Sequence, residues 1–216
     1  MRIILLILAI SSIYTDEPPT WANKFSQYFE ETMKYPVIGE GHTTGTMYYD
    51  FNTLRSRLDR QSGRYDRYCG TVYKFQDTPC THYVSEGMRY LHFPDKNYCC
   101  MCCTSEKGCG VLKPNWMEGA NMVNEYENDE GKYIQVWRKD GSQTNLIHVY
   151  KDTGMIWIID MQPNDIMKFD AKTYKEDFDE DLLSLPQICN PNNKCGFFTT
   201  CSAIRGEKTD IEVIQE

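Results

Sequence analysis

Hydrophobic and polar residues alternate over most of the chain, a pattern that predicts a protein built mainly from β-strands. The clearest alternation runs over residues 132–172 and contains two turn signals, Asp140-Gly141 and Asp152-Thr153-Gly154. Glycine reaches positive φ without a steric penalty, so both signals are typical of tight β-hairpin turns. We therefore predict a three-stranded antiparallel meander in this region.

The two turns set a register that separates the faces of the meander. Trp137 is then expected opposite Thr144. Val149 is expected opposite Trp157, and Ile147 opposite Ile159. One face is wholly apolar and, if the sheet encloses a cavity, this face is predicted to bind a hydrophobic ligand through Ile134, Val136, Ile147, Val149, Trp157 and Ile159. The alternative is that these side chains fill an ordinary core. Trp137 belongs to the opposite, mixed face.

Two segments have the spacing of amphipathic helices. Apolar residues at positions 21, 25, 28 and 29 follow Thr20, which can cap a helix, and they predict a helix over residues 21–33. A second helix is predicted over residues 115–125, with Trp116, Ala120 and Val123 on one face. The expected fold class is therefore mainly β with two or three helices that pack against the sheet.

A second strand region, residues 43–93, is rich in tyrosine and arginine. Arginines at positions 55, 57, 60, 64 and 67 alternate with Asp59 and Asp66, and Ser62-Gly63 can form a turn between them. Because carboxylates lie among the arginines, we interpret this stretch as a hairpin with cross-strand ion pairs. A basic patch is the alternative interpretation.

The first residues predict export. Arg2 is followed by an apolar run from Ile3 to Ile10, which has the length of a signal-peptide core and about half the length of a membrane span. Small residues follow the run and suit cleavage near Ser11, so residues 1–12 are predicted to be a signal peptide. No later segment has the length of a membrane span, and we expect a secreted or endomembrane-lumen protein without a stable membrane anchor.

The cysteine content agrees with export. An even number of cysteines in an exported chain predicts a disulfide framework whose pairing the sequence does not fix. Two overlapping C-x-x-C spacings within residues 99–103 also allow zinc binding or redox exchange, but structural bridges are the favoured interpretation. The ten cysteines are Cys69, Cys80, Cys99, Cys100, Cys102, Cys103, Cys109, Cys189, Cys195 and Cys201.

The amino-acid composition limits the classes of partner and of fold. The 216 residues carry a formal net charge of -8, which argues against a surface that binds nucleic acid. Aromatic residues make up 13% of the chain, which is too many for a disordered protein. We therefore expect one folded, soluble protein, and the sequence leaves its oligomeric state open.

Motifs of enzymes are missing from the sequence. There is no G-x-S-x-G elbow, H-E-x-x-H pair or P-loop, and Cys80 with His82 is a weak candidate for a nucleophile and base. The acidic run from Asp177 to Asp181 departs from an EF-hand loop, because Leu182 stands where glycine is needed. We predict a non-enzyme without a cofactor. A solvated acidic face is favoured for this run, with a weak calcium site as the alternative.

The order of several short motifs resembles ependymin-related secreted proteins. These motifs are Gly45-Thr-Met-Tyr-Tyr-Asp50 before an arginine-rich strand, the cysteine cluster near residue 100, Pro114-Asn-Trp116, and Leu183-Ser-Leu185-Pro186-Gln-Ile-Cys189. The similarity covers about residues 39–189. The cluster and the cysteines after residue 190 exceed the family's usual number, and the chain has no N-x-S/T sequon.

The resemblance implies a curved, half-open antiparallel barrel around helices, similar to bacterial lipoprotein carriers of the LolA type. It also implies extracellular binding of lipids and, in the family, calcium. We expect a single domain over residues 18–189 and a cysteine-containing tail over residues 190–216. The expected function is binding of a lipid or fatty acid by a non-catalytic secreted protein. The alternative is an interaction module with a filled core that binds extracellular proteins.

Overall fold

The chain folds around one large β-sheet. The computed structural model describes residues 17–35, 39–74, 76–141 and 143–207. The predicted signal peptide lies outside these residues. The strands are β1 Lys24–Tyr35, β2 Gly39–Asp50, β3 Arg55–Arg60, β4 Cys80–Ser85, β5 Met88–Phe93, β6 Tyr98–Thr104, β7 Asn121–Glu127, β8 Tyr133–Lys139, β9 Asn145–Tyr150, β10 Ile156–Met161 and β11 Asp165–Phe169. Two short helices are described, α1 Cys69–Val72 and α2 Thr200–Arg205.

The sheet is made of two meanders that meet at its centre. Strands β1 to β6 follow one another across one half, β7 to β11 follow one another across the other half, and β11 pairs with β1. All pairings are antiparallel, and β1 is hydrogen-bonded to β2 along its whole length. The predicted fold class, mainly β with an antiparallel sheet, is confirmed.

The sheet curves strongly around its inner face. Tyr49 on β2 and Trp137 on β8 belong to one buried core, although four strands lie between them in the sheet order. A flat sheet would separate these two strands by roughly 24 Å at about 4.8 Å per strand. Met117, from the connection between β6 and β7, is fully buried in the same core. The inner face is therefore filled by this connection.

The two predicted helices are wrong, because β1 and β7 occupy their positions. Residues 24–35 form β1, whose inward positions are Phe25, Gln27, Phe29, Glu31 and Met33, all buried. Since polar residues stand at every second inward position, the apolar ones recur every four residues and imitate a helix. Over residues 115–120 the chain makes turns and then continues into β7.

The predicted meander exists, and Ile147 lies opposite Ile159 as predicted, but the other predicted pairs differ. Trp137 lies opposite Ile147 instead of Thr144, because the connection between β8 and β9 is longer than two residues. Val149 lies opposite Ile156, and Trp157 falls in an irregularity of the ladder. The predicted apolar face is therefore corrected, because its six residues are divided between the two faces of the sheet.

Five disulfides join all ten cysteines, so the predicted disulfide framework is confirmed. The pairs are Cys69–Cys80, Cys99–Cys189, Cys100–Cys195, Cys102–Cys201 and Cys103–Cys109. Such a density of disulfides is typical of proteins in oxidising compartments. Neither of the two described helices is both long and apolar enough to cross a membrane.

Three of these disulfides fasten the C-terminal segment around the edge strand β6. Cys99 and Cys189 belong to a cluster on the outer face, while Cys100, Cys195, Cys102 and Cys201 are buried on the inner face beside α2. Between the two faces, the segment runs along the strand edge, where the Met101 N–H donates to the Asn193 carbonyl and the Met101 carbonyl accepts from the Cys195 N–H. The edge of the sheet is thereby covered.

We expect Gly154 and Gly141 to differ in their tolerance of a side chain. Gly154 has a φ of 69°, and an added Cβ would lie 3.1 Å from the Cβ of Pro19. Gly141 is outside the positive-φ region, and its nearest described neighbour would be 3.8 Å away. Gly154→Ala should therefore lower the free energy of unfolding by about 1 kcal/mol or more, and Gly141→Ala by less than about 0.5 kcal/mol. Urea denaturation of both variants measures the difference, and equal losses would contradict it.

Candidate functional site

A cavity of about 490 Å³ lies on the inner face, between the two halves of the curved sheet. This volume is within the range of small-molecule sites in proteins. Its wall combines side chains from β2 and β3 on one side with side chains from β10 and β11 on the other. The apolar part of the wall consists of Trp21, Met47, Leu58, Leu112, Trp116, Ile159, Met161, Met167 and Phe169.

Charged and polar groups line the remaining wall of this cavity. They include Arg67, Gln143 and Asn145, with Arg67 Nη1 donating to Gln143 Oε1 at 2.8 Å. That hydrogen bond joins the loop before α1 to the loop between β8 and β9. The two halves of the sheet therefore meet across the cavity through polar side chains.

A buried ionic cluster forms part of the wall. Arg60 donates two hydrogen bonds to Glu31, at 2.6 and 2.9 Å, and its Nη1 lies 3.5 Å from Asp66 Oδ2. Burial opposes the charge on Arg60, but Glu31 and Asp66 outweigh burial and raise its pKa. The guanidinium therefore stays charged, as it must to compensate two buried carboxylates.

Four groups lie against the Asp66 carboxylate. The N–H groups of Tyr68 and Cys69 donate to its Oδ1 at 3.0 and 2.7 Å, and His82 Nε2 lies 3.1 Å from the same oxygen. Arg60 contributes the fourth contact. Burial acts to raise the pKa of Asp66, but Arg60 and His82 outweigh it and lower the pKa. Burial lowers the pKa of His82 itself.

Asp165, at the start of β11, has a raised pKa, whereas the pKa of Asp66 is lowered. Burial and the negative charge of Glu31 raise the pKa of Asp165 to about 7, although Arg60 acts in the other direction. Its Oδ1 is buried and accepts no hydrogen bond from any described residue. The cavity wall therefore contains a carboxyl group that takes up a proton near neutral pH.

Arg89 on β5 supplies a third guanidinium to the wall. It lies over the ring of Tyr68, 5.3 Å from the ring centroid, and both residues line the cavity. Its Nε is buried and has no hydrogen-bond acceptor among the described residues. Arg89 thus differs from Arg60, whose charge is balanced by carboxylates.

The predicted ligand-binding residues lie in four different places. Ile159 lines the cavity, and Ile147 and Val149 are buried in the adjoining core on the same face. Ile134 and Val136 are buried on the outer face, where they pair with Tyr150 and His148. Trp157 borders a different, smaller cavity of about 250 Å³.

Most of the cavity's apolar lining was outside the predicted set. Met47 and Leu58 come from β2 and β3, in the other half of the sheet, and Met161 and Met167 come from β10 and β11. One signal in the sequence was available, because methionine adapts its shape and often lines binding surfaces, and two of these methionines alternate with polar residues.

The candidate nucleophile and the candidate metal ligands of the described residues are mostly disulfide-bonded cysteines. Cys80 and His82 were the candidate pair, but the sulfur of Cys80 is bonded to Cys69 and is not a thiol. Among the described residues, the groupings of three possible metal ligands all contain disulfide-bonded cysteines. In the acidic run, Asp179 accepts a hydrogen bond from the Asp181 N–H and Glu180 pairs with Lys24. Calcium binding by this run stays a prediction.

Comparison with known proteins gives only distant structural similarity. No protein family model and no curated protein matches the chain. An uncharacterized conserved protein from Thermus thermophilus shares 10% identity at a TM-score of 0.48, over 76% of this chain and 86% of that protein.

Two further solved structures are similar at a lower level. A LolA superfamily protein from Nitrosomonas europaea shares 7% identity at a TM-score of 0.38, over 78% of this chain and 93% of its own. The MucA/MucB complex of Pseudomonas aeruginosa gives 12% identity and a TM-score of 0.40, over 78% of this chain and 57% of the matched chain. Similarity at this level carries no argument about function, and membership of the ependymin-related family stays a prediction.

Asp165 should make the stability of the protein depend on pH. An aspartate has a pKa of about 3.9 in an unfolded chain, so between about pH 4 and pH 7 the folded state binds a proton that the unfolded state does not. Stability should fall as the pH rises through this window. Asp165→Asn removes the ionisable group, and its stability relative to the unchanged protein should rise by on the order of 4 kcal/mol from pH 4 to pH 8.

Urea denaturation at several pH values tests this expectation. Asp140→Asn is the matched control, because Thr144 and Arg138 lower the pKa of Asp140. That substitution should bring no gain at pH 8. A pH-independent difference between Asp165→Asn and the unchanged protein would contradict the assignment.

Proposed function

We propose that the protein is a secreted, non-catalytic carrier that binds a hydrophobic ligand, such as a lipid or fatty acid, in the cavity between the two halves of the sheet. The observation that carries the proposal is the cavity itself, one part of whose wall is built from methionine, leucine, isoleucine and aromatic side chains. Such a surface favours apolar ligands, because each buried methylene contributes about 0.8 kcal/mol.

The flexibility of the lining supports a ligand with an acyl chain. Met47, Met161 and Met167 line opposite sides of the cavity, and methionine side chains adapt to different chain shapes. The disulfides support a secretory location, as they persist in oxidising compartments. Non-catalytic binding is supported by the chemistry of the wall, where the sulfur nearest to His82 belongs to the Cys69–Cys80 disulfide.

Binding of a neutral lipophilic dye, Nile red, tests the proposal. We expect saturable fluorescence that lipids displace. Ile159→Glu should weaken the dye's binding by about tenfold or more, because a carboxylate on the apolar wall must lose its hydration when the ligand enters.

Ile158→Glu is the matched control. Ile158 is the neighbouring residue on β10, its side chain points to the outer face, and it does not line the cavity. This variant should bind the dye as the unchanged protein does. If no dye binds, or if both variants bind it equally well, the carrier proposal fails and the interaction module with a filled core takes its place.

A further inference from the structure

The cavity wall holds a positive charge that no described carboxylate balances. Arg89 forms no ion pair with a described residue, and its buried Nε donates to no described acceptor. Its only described partner is the ring of Tyr68, a contact that leaves the N–H groups of the guanidinium without acceptors. A half-buried guanidinium in this state favours an anion, because arginine binds carboxylates and phosphates through paired N–H groups.

The carboxylates of Asp66 and Glu31 are already committed to other donors. Asp66 accepts from two backbone N–H groups and lies beside both His82 and Arg60. Glu31 accepts both of its hydrogen bonds from Arg60. Both acids therefore have other partners and neither pairs with Arg89, so the charge of Arg89 remains for an external ligand.

The apolar wall begins next to this charge. In the sheet register, His82 on β4 lies opposite Leu58 on β3, and Leu58 lies opposite Met47 on β2. Arg89 is on β5, the strand beyond β4, and lines the same cavity. From β5 to β2 the distance is roughly 14 Å at about 4.8 Å per strand. The apolar surface thus extends from Arg89 toward the methionines on β10 and β11.

We infer that the cavity selects anionic amphiphiles, with the acidic head group bound by Arg89 and the acyl chain lying along Leu58, Met47 and the methionine side chains beyond them. This inference rests on the proposed carrier function and adds the class of ligand. A fatty-acid carboxylate and a lipid phosphate share the required chemistry.

Displacement of Nile red by matched lipids tests the inference. Oleate and oleyl alcohol have the same chain and differ at the head group, so oleate should displace the dye at a concentration lower by about tenfold or more. Oleoyl lysophosphatidate is the phosphate counterpart. A preference for either acidic lipid over the alcohol supports the inference. The acidic lipid that displaces the dye at the lower concentration identifies the head group.

Two arginine variants locate the head group. Arg89→Met should bring the acid and the alcohol to similar displacing concentrations while Nile red, which is neutral, still binds. Arg67→Met is the matched control, because Arg67 lines the same cavity but its guanidinium is exposed and donates to Gln143. It should keep the preference for the acid.

The outcomes separate this inference from the proposed function. If the unchanged protein binds Nile red but does not prefer an acid, the inference fails and the carrier function stands. That comparison needs no variant, so it holds even if Arg89→Met does not fold. Loss of the preference in Arg67→Met, with retention in Arg89→Met, also overturns the inference. If neither dye nor lipid binds the unchanged protein, the carrier function itself fails.

Discussion

A single sheet must cover its own inner face, and this constraint shapes the rest of the molecule. The described residues contain no second sheet and no helix longer than six residues. The sheet therefore curves, and Trp21 packs with Trp116, from the connection between β6 and β7, at a ring distance of 5.3 Å. Gly45 helps β2 and β3 to approach, since a side chain there would collide with the Asp59 carbonyl. Where this filling ends, the cavity begins.

The buried ionic cluster on the inner face of the sheet specifies how the elements meet, whereas the apolar core supplies the hydrophobic burial. Glu31, Arg60 and His82 come from three strands, and Asp66 comes from the loop before α1. A buried ion pair adds little net stability, but loss of one member leaves its partner charged and unsolvated. The cluster therefore requires these elements to meet in one arrangement. Arg89 stands outside this cluster and pairs with no carboxylate among the described residues.

The sequence predicts the strands, the antiparallel sheet and the disulfide framework, because alternation and cysteine count are local properties. It misleads where inward positions are polar, as at Gln27 and Glu31, since the remaining apolar residues then recur with a helical period. The register fails at Asp140, whose side chain accepts from Thr144 and closes a loop longer than two residues. The cavity could not be foreseen, because Leu58 and Met167 meet only when the sheet curves.

The three disulfides that join β6 to the C-terminal segment can form only after that segment has been synthesised. Three cysteines of that strand are made 90, 95 and 99 residues before their partners. At typical translation rates this delay is roughly 5 to 20 s. In an exported chain, their thiols would enter an oxidising compartment beside Cys103 during that time, and any bond formed among neighbours would have to be exchanged later. Production of this protein should therefore depend on disulfide isomerase capacity more than on the rate of oxidation.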